Sequence, residues 1–495
     1  MEMQNIDALL CILDKYRWLV DYYVIDFFVD DLWGKLPVTW RQSLSSDSFE
    51  RLANFLDFNH SFVQSSGPVL PLELLALRMC VRVYGQPQEE VRDLSLLQQL
   101  LQGDAVLPGV GNYLKEEYDS AILRYRIKKK KRHEIIRLTS LVSLLKDAVG
   151  FGRIVDVGSG LGHLSRLLSV QLEGLDIMSV DGNEVFIQTA RNIDRKLFKT
   201  VQTSPQSTGN CFPPTHHATM VQFDGSISEQ LASRLDEQMV CLLGLHTCGD
   251  LAPSLIREFS ANPRAAVLIS LACCYMKLNG GLDKIGLDSE CNGADSSTSE
   301  QAQKMMGLGY PMSFLLKQDE RSLLSYSARE LACHAMRQYV EGLQYSVGSD
   351  RLKVHAYRAT LEVLICRMHP AMRRQGLHSV KDAHLLSFTD YCRKALSKRP
   401  DLHDVQKLLE NGDVLLEVNA MLERWRKVVI LYSFRLLLAP LIETLILKDR
   451  MLYLKEKRSE QQVDTGHGHI QTCLMPIFDP GVSPRNLALI AWKKS

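Results

Sequence analysis

The 495-residue sequence lacks a charge excess of either sign. It holds 58 lysines and arginines against 57 aspartates and glutamates, so its formal net charge is +1. This balance excludes the global electrostatic signature of a nucleic-acid-binding protein, and any such binding must come from a local patch. With 46% hydrophobic and 23% charged residues, the composition predicts a soluble globular protein with a large buried core.

The cysteines lack the regular spacing of a disulfide framework. Twelve are scattered along the chain without paired C-x₂-C segments. Residues Met1–Asn5 also lack the charged-then-apolar form of a signal peptide. We therefore expect a reducing compartment, the cytosol or the nucleus.

One apolar run is long enough to cross a bilayer. Residues 428–447 are apolar over most of their length. Arg435, Pro440 and Glu443 lie inside the run, however, and each is unfavourable in lipid. We expect a largely buried helix packed on a sheet, with membrane association as the alternative.

A nucleotide-binding pattern is present at residues 153–172. A short apolar run, a glycine-rich turn from Asp156 to Gly162 and an amphipathic segment predict a strand, a loop and a helix. Such a loop lets the backbone approach a ligand closely, and the free N–H groups of the helix point at the same place. A dinucleotide site needs G-x-G-x-x-G, but the position of the third glycine is occupied by His163.

The form D-x-G-x-G-x-G resembles motif I of class I S-adenosylmethionine-dependent methyltransferases. The resemblance implies S-adenosyl-L-methionine as cofactor and a carboxylate suited to its cationic amino-acid end. The implied cofactor-binding residues of this segment are Asp156, Gly158, Ser159, Gly160 and Gly162. The alternative is a tight strand–helix turn without a ligand.

Four further apolar runs predict strands at 177–180, 220–223, 240–245 and 266–271. Asp181 follows the first of them and lies 23 residues after Gly158, close to the ~20-residue offset at which an acidic residue meets ribose hydroxyls. Asp224 follows the next run, where methyltransferases often place a contact to the adenine amino group. Helix capping or turn formation is the alternative for both aspartates.

These patterns predict an α/β fold with a class I, Rossmann-like methyltransferase core. We expect an N-terminal helical domain at 1–125, the first part of the core at 126–276, and an insertion at 277–425 that is flexible over 279–300 and then helical. The chain would close with a core helix and an antiparallel hairpin at 426–495, whose strands are 473–478 and 486–492.

Longer segments resemble the methyltransferase-like protein 25 family over nearly the whole chain, with the strongest likeness to its 25B branch, also described as ribosomal RNA adenine dimethylase domain-containing. The segments that carry the resemblance are V-D-V-G-S-G-L-G-H-L-S-R (155–166), G-L-H-T-C-G-D-L (244–251), C-C-Y-M-K-L (273–278), L-L-L-A-P-L-I-E-T-L-I-L (436–447), D-L-W-G-K-L-P (31–37), K-K-R-H-E-I (130–135) and P-I-F-D-P-G-V-S-P-R-N-L (476–487). The resemblance implies an S-adenosylmethionine-dependent methyltransferase fold.

The segment after the fourth strand departs from the pattern of adenine N6 methylation. Those enzymes carry N-[LIP]-P-[YF] there, whereas residues 245–250 contain no aromatic side chain. The histidine–cysteine block and the later cysteine pair are instead similar to transfer RNA 2′-O-methyltransferases with H-L-C-G and C-C-H-H segments, except that Tyr275 and Met276 replace the two histidines.

Four residues near these strand ends are the candidate catalytic groups. His246 is the best base by type, because its ordinary pKa lies near neutrality. Asp250 would orient His246 or accept a proton, or else cap the helix 251–259. Tyr275 would stack on a base or simply pack, and Lys277 would hold a phosphate or activate a hydroxyl, or else be solvated.

Three cysteines accompany this group. Cys248, Cys273 and Cys274, with His246, contain metal-ligand types, but their spacing lacks the paired form of zinc sites. We expect small packed cysteines and no metal.

The strongest basic patch is the strip from Arg124 to Arg132. It is interpreted as a solvated helix face, a nuclear localisation signal or a phosphate-contacting surface for RNA. The leading hypothesis is a methyltransferase acting on RNA at a 2′-oxygen or a base nitrogen. The alternatives are a protein methyltransferase and a catalytically idle fold that serves as a binding module.

Overall fold

The computed structural model describes ten stretches of the chain, and they contain a seven-stranded sheet with helices around it. The described residues are 2–44, 49–58, 68–102, 127–172, 174–202, 212–221, 238–280, 309–344, 350–464 and 469–493. The strands are Arg153–Val157 (β1), Asp176–Asp181 (β2), Thr215–Ala218 (β3), Val240–Leu245 (β4), Ala265–Leu271 (β5), Ile470–Pro476 (β6) and Leu487–Lys493 (β7).

Most of the remaining described residues are helical. The α-helices are Glu2–Lys15 (α1), Arg17–Val20 (α2), Leu32–Lys35 (α3), Val38–Leu44 (α4), Phe49–Leu56 (α5), Leu72–Tyr84 (α6), Ser95–Gln102 (α7), Lys129–Val149 (α8), His163–Gln171 (α9), Glu184–Gln202 (α10), Leu251–Ala261 (α11), Phe314–Lys317 (α12), Tyr326–Leu331 (α13), Met336–Gln344 (α14), Lys353–Met368 (α15), Phe388–Ala395 (α16), Gly412–Glu423 (α17), Trp425–Leu437 (α18) and Ala439–Asp464 (α19). Short 3₁₀ helices lie at Val24–Asp26, Tyr275–Lys277, Glu320–Ser322, Pro370–Met372, Ala383–Leu385 and Pro400–Glu410.

The strand order of the sheet is β3-β2-β1-β4-β5-β7-β6. The first five strands in the chain are parallel, whereas β7 runs antiparallel to β5 and forms a hairpin with β6. The order reverses between β1 and β4, where an open parallel sheet forms a ligand-binding crevice at the carboxyl ends of its strands. The predicted Rossmann-like α/β fold and its closing antiparallel hairpin are confirmed.

Apolar clusters cover both faces of the sheet. Successive residues of a buried strand point to opposite sides, so a buried strand contributes to both clusters. Ile154 of β1 packs in one apolar cluster together with residues of α8 and α9. Its neighbour Val155 belongs to a second cluster, which contains residues of α11 and Leu454 of α19. The carboxyl ends of the parallel strands are therefore held by two independent hydrophobic layers.

The third strand lies before its predicted position. The apolar run at 220–223 favoured a strand there, but residues 220 and 221 form no strand, residues 222 and 223 lie outside the described residues, and the strand is the preceding segment Thr215–Ala218. It pairs with β2 at the edge of the sheet, and His216 is its one fully buried side chain. An edge strand that buries a histidine has no apolar pattern for sequence periodicity to detect.

The described residues divide into two compact units whose boundaries differ from the predicted domains. The helical unit comprises Met1–Gly85 and His334–Ile442, and the sheet unit comprises Gln86–Cys333 and Glu443–Ser495. The N-terminal helices thus pack with the later part of the predicted insertion, in contacts such as those between α5 and α14. Most of the expected flexible stretch 279–300 lies outside the described residues.

Among the described residues, Trp425–Arg458 is the one helical segment long and apolar enough to cross a membrane, and 94% of its apolar window is buried inside the protein. The run 428–447 is buried as predicted, but it is divided between two helices, α18 and α19, and residues 428–442 belong to the helical unit. Arg435 donates to the backbone oxygen of Val20 at 3.0 Å, within the helical unit. A polar group of this helix therefore has a partner inside the protein, as a buried charge requires.

Glu443 of α19 is a second buried charge, 2% exposed, and it lies within the sheet unit. Its carboxylate accepts hydrogen bonds from the Tyr275 hydroxyl at 2.9 Å and the Gln88 amide at 2.7 Å. Arg485 lies 3.7 Å away and balances its charge. Burial raises the pKa of Glu443, and the Arg485 charge opposes that rise.

Glu443→Leu is expected to lower the free energy of unfolding by about 3–5 kcal/mol, because it leaves the Arg485 guanidinium buried without its counter-charge. Denaturant unfolding followed by circular dichroism measures the change. Glu423→Leu, at an exposed position of α17, is the control and should shift stability by about 0.5 kcal/mol or less. Equal stability of the two variants would contradict this role of Glu443.

Candidate functional site

The glycine-rich loop between β1 and α9 has a backbone that only glycine adopts without strain. Gly158, Gly160 and Gly162 have φ angles of 73°, 56° and 68°. Close packing adds a second requirement at Gly162, where a Cβ would lie 2.8 Å from Cε1 of His216. The predicted tight turn is therefore present, with the helix α9 starting at His163 directly after it.

The carboxylate of Asp181, at the end of β2, holds this loop in place. Its Oδ2 accepts a hydrogen bond from the Gly160 N–H at 2.8 Å, and its Oδ1 accepts one from the Asn183 N–H at 2.8 Å. A carboxylate has about four acceptor positions, so two donors leave it free to accept more. Asp181 therefore both fixes the loop and offers acceptors at the crevice.

A buried chain of hydrogen bonds supports the loop from behind. Ser179 of β2 donates to the Ser159 hydroxyl at 2.6 Å, and the Ser179 hydroxyl lies 2.9 Å from Nδ1 of His216. Nε2 of His216 lies 2.6 Å from the Asp194 carboxylate, which also accepts from the Arg166 guanidinium. The network connects the loop to β2, β3, α9 and α10.

Arg166 connects this network directly to the glycine-rich loop. It is fully buried, and its guanidinium donates to the backbone oxygen of Leu161 at 2.6 Å. Its Nη1 lies 3.2 Å from Nδ1 of His163. Burial and the charge of Arg166 lower the pKa of His163 to about 4. The loop is therefore rigidified by charges that face the protein interior.

A cavity of about 320 Å³ opens at the carboxyl ends of the strands, and its size lies within the usual range of small-molecule sites, about 300–1,000 Å³. The loops after β1, β2, β3, β4 and β5 all contribute to it. Its lining residues are Val157, Gly158, Val180, Asp181, Gly182, Thr219, Met220, Val221, Cys248, Gly249, Asp250, Leu251, Lys277 and Asn279.

Six of the seven predicted cofactor residues fall into three groups. Gly158 and Asp181 line the cavity, while Ser159, Gly160 and Gly162 shape the loop beside it. Asp224 lies outside the described residues, and the described segment of that loop contributes 219–221 to the cavity wall.

Asp156 does not face the cavity. It is 2% exposed and accepts a hydrogen bond from the Ser165 hydroxyl at 2.5 Å. Burial raises its pKa, against the hydrogen bond from Ser165 and the charge of Lys131. The expected contact of Asp156 with a cofactor therefore gives way to an internal role, in which it joins the end of β1 to the first turns of α9.

Asp250 and Lys277 are the two predicted catalytic residues that line the cavity. Asp250 precedes α11, but its side chain makes no capping hydrogen bond to that helix. It accepts instead from the backbone N–H and side-chain amide of Asn279, at 2.9 and 2.5 Å. Burial raises the pKa of Asp250, and the hydrogen bonds from Asn279 oppose the rise.

His246 is held beside the crevice but is not among the residues that line the cavity. Its φ of 67° is unusual for a non-glycine residue, and such strain is concentrated at functional sites. Its Nε2 lies 2.9 Å from Glu134 of α8. Burial raises the pKa of Glu134, but the hydrogen bonds and charge of its neighbours, His246 first among them, outweigh burial and lower it.

A carboxylate only accepts hydrogen bonds, so Nε2 of His246 carries the proton and Nδ1 is the unprotonated atom of the neutral ring. Glu134 thereby selects the tautomer in which Nδ1 can take up a proton.

Tyr275 is 1% exposed, and its hydroxyl donates to Glu443. Of the two interpretations of Tyr275, the structure therefore supports packing over base stacking.

The three cysteines predicted to be small packed side chains lie next to one another. The Sγ atom of Cys248 lies 3.0 Å from that of Cys273 and 3.3 Å from that of Cys274, and all three side chains are half-buried. Hydrogen bonds from Cys273 and then Cys274, with burial opposing, lower the pKa of Cys248 to about 6. The hydrogen bond with Cys248, followed by burial, raises the pKa of Cys273.

The described part of the basic strip begins α8, while Arg124 and Arg126 lie outside the described residues. Lys128, Lys129 and Lys130 are exposed. Lys131 is half-buried, and burial lowers its pKa while the charges of Glu134 and Asp156 oppose that effect. The strip therefore has three solvent-facing lysines and one lysine directed toward the sheet.

Sequence reasoning missed Glu134, Asn279 and the network of Arg166, Asp194 and His216. Each acts on a residue far away in the chain, as in the 112-residue separation of Glu134 from His246. One signal was available for Asn279, which follows the candidate Lys277 by two residues. The others are single polar residues within helices or an edge strand, and their partners follow from the fold alone.

Comparison with known proteins agrees with this geometry. Residues 130–281, which include α8 and β1 to β5, match a family model described as a methyltransferase domain. No solved structure matches the chain significantly.

Two curated relatives are similar to the chain. A human protein named probable methyltransferase-like protein 25 is 24% identical over 99% of this chain and 97% of its own length. A mouse protein of the same name is 31% identical over 267 residues, which cover 54% of this chain and 39% of the mouse protein. The chain therefore carries a methyltransferase domain on a Rossmann-like α/β sheet, and it is similar over its full length to a protein named as a probable methyltransferase.

Proposed function

We propose that the chain is an S-adenosyl-L-methionine-dependent methyltransferase that acts on RNA. The observation that carries the cofactor assignment is the Asp181 carboxylate, fixed by the Gly160 N–H at the wall of the cavity. Its free acceptor positions suit the two ribose hydroxyls of the cofactor. The finer kinship with the 25B branch is part of this proposal.

The remaining cavity wall fits the other parts of this cofactor. Val180, Met220 and Val221 offer an apolar surface for the adenine ring. The glycine loop brings backbone close to the ligand without side chains, as its positive φ angles allow. When bound, S-adenosyl-L-methionine supplies an electrophilic methyl group on its sulfonium.

The chain's own residues have two tasks in such a transfer, which are to align the acceptor and to remove its proton. Lys277 and Asp250 reach the cavity and are placed to bind an acceptor. Asp250 is held by two hydrogen bonds from Asn279, so its carboxylate has a fixed orientation. His246, with Nδ1 free by virtue of Glu134, is the proposed proton acceptor for a hydroxyl or a base nitrogen.

The RNA assignment rests on the position of the exposed lysines. Glu134 contacts His246 after β4, so the start of α8 lies at the same edge of the sheet as the crevice. Lys128, Lys129 and Lys130 stand within the two turns before Glu134 and are exposed, with Nζ of Lys130 lying 3.7 Å from the Glu134 carboxylate. In a chain of net charge +1, this is a local positive surface where phosphates would bind.

Asp181→Ala is expected to weaken S-adenosyl-L-methionine binding about 10- to 100-fold, because hydrogen bonds to a charged group contribute about 1.5–3 kcal/mol. Isothermal titration calorimetry measures the affinity. Asp176→Ala removes an aspartate from the opposite end of the same strand, where it pairs with Arg153 at 2.7 Å, and should leave the affinity unchanged. Equal affinities for the two variants would overturn the assignment of Asp181, and absence of binding by the folded wild type would overturn the cofactor.

Reversing the charge of Lys128, Lys129 and Lys130 to glutamate is expected to weaken RNA binding and to reduce the slope of log K against log salt by about 2, since each single-strand phosphate contact contributes about 0.7. Fluorescence anisotropy with a labelled single-stranded RNA measures both. The matched control reverses three exposed lysines of the helical unit, Lys394, Lys398 and Lys407. Equal salt slopes for the two variants, or transfer of labelled methyl groups to protein alone, would refute RNA as the substrate.

A further inference from the structure

Three thiols from two neighbouring strands meet at one point of the sheet unit. Cys248 lies in the loop after β4, and Cys273 and Cys274 follow the end of β5. Their Sγ atoms are separated by 3.0, 3.3 and 3.5 Å. All three are close enough together to bind a single ion.

The backbone fixes this convergence. The strands β4 and β5 pair in parallel up to Leu245 and Leu271, so the chain leaves both strands at the same level. The N–H groups of His246 and Thr247 then donate to the Leu271 oxygen at 2.9 and 3.3 Å. The loop that carries Cys248 is thereby tied to the strand end that carries the cysteine pair.

The grouping of three thiols favours a metal ion over a disulfide, because a disulfide joins only two of them. A tetrahedral zinc with Zn–S bonds of about 2.3 Å places its sulfur atoms about 3.8 Å apart. The three separations of 3.0, 3.3 and 3.5 Å would have to grow by about 0.8, 0.5 and 0.3 Å to reach this arrangement. A disulfide needs about 2.05 Å, so Cys248 and Cys273 would have to approach by about 1 Å.

We propose that Cys248, Cys273 and Cys274 form a binding site for a single thiophilic divalent ion, Zn²⁺. The described residues supply three sulfur ligands, which is the number that zinc sites with an exchangeable fourth position use. As the Zn–S bonds form, the thiol protons leave to solvent. The positive Lys277 lines the same cavity as Cys248 and offsets the negative charge of three thiolates.

The site does not depend on the proposed methyl transfer or on its cofactor. Because Cys248 lines the cavity, the ion would lie at the cavity wall. The sequence argued against a metal because the ligands are not arranged in C-x₂-C pairs. A site assembled from the ends of two parallel strands has no such spacing, since its ligands are separated by the intervening helix α11.

The test uses the full chain, reduced and freed of metal with a chelator, then titrated with Zn²⁺ and analysed for bound metal after gel filtration. One equivalent of Zn²⁺ is expected in the wild type. Co²⁺ in place of Zn²⁺ is expected to give thiolate-to-cobalt charge-transfer absorption. Cys248→Ser and Cys273→Ser should each lose the stoichiometric ion and this absorption, while Cys366→Ser, which removes a half-buried thiol of the helical unit, should keep both.

A second measurement uses the wild type alone, so its result does not depend on whether the cysteine variants fold. Alkylation of the reduced protein with a maleimide, mapped by mass spectrometry, should be slowed by Zn²⁺ at Cys248, Cys273 and Cys274 and unchanged at Cys366. The proposal is overturned if the reduced wild type takes up no Zn²⁺, or if Zn²⁺ leaves alkylation of the three cysteines unchanged. Retention of the ion by Cys248→Ser and Cys273→Ser would also overturn it.

Discussion

The hydrogen bond from the Gly160 N–H to the Asp181 carboxylate joins the two parts on which the candidate site depends. One part is the glycine-rich loop, whose backbone conformation glycine adopts without strain. The other part is the end of the central strand β2. Behind them, Arg166, Asp194 and His216 form a buried charged network that reaches the loop through Leu161. Because this network is inside the protein, it can position the loop without competing for a ligand at its surface.

Parallel strand pairing explains why so many polar residues share one edge. Each of the strands β1 to β5 ends at the same side of the sheet, so residues far apart in sequence become neighbours. Asp181, Asp250 and Lys277 reach one cavity in this way. The same constraint gathers the three thiols and brings the start of α8 to His246 through Glu134.

Most of the fold could be predicted from the sequence, because buried parallel strands are continuous apolar runs and their loops carry glycine or aspartate. The glycine loop, β1, β2, β4, β5 and the closing hairpin followed from these patterns. The edge strand Thr215–Ala218 did not, since it buries a histidine instead of an apolar row. The division into two units also escaped prediction, because helices at the two ends of a long chain segment pack through contacts that no local pattern encodes.

The candidate site was less predictable than the fold, and the reason lies in side-chain direction. Asp156 and Tyr275 occupy the expected positions beside the crevice, but both side chains point into the interior, toward Ser165 and Glu443. Asp250 has the position of a helix cap, yet it accepts hydrogen bonds from Asn279 in a loop 29 residues later. Sequence spacing placed these residues at the edge of the sheet, whereas their orientation depends on partners brought in by the fold.

Hydrogen exchange of the backbone amides with and without S-adenosyl-L-methionine tests the central claim most directly. If the glycine loop and the end of β2 form the cofactor site, saturating ligand should slow exchange across residues 158–163 and 181–183. Exchange in the distant hairpin strand Ile470–Pro476 should remain the same. Unchanged exchange in both segments, or protection confined to the helical unit, would contradict the account.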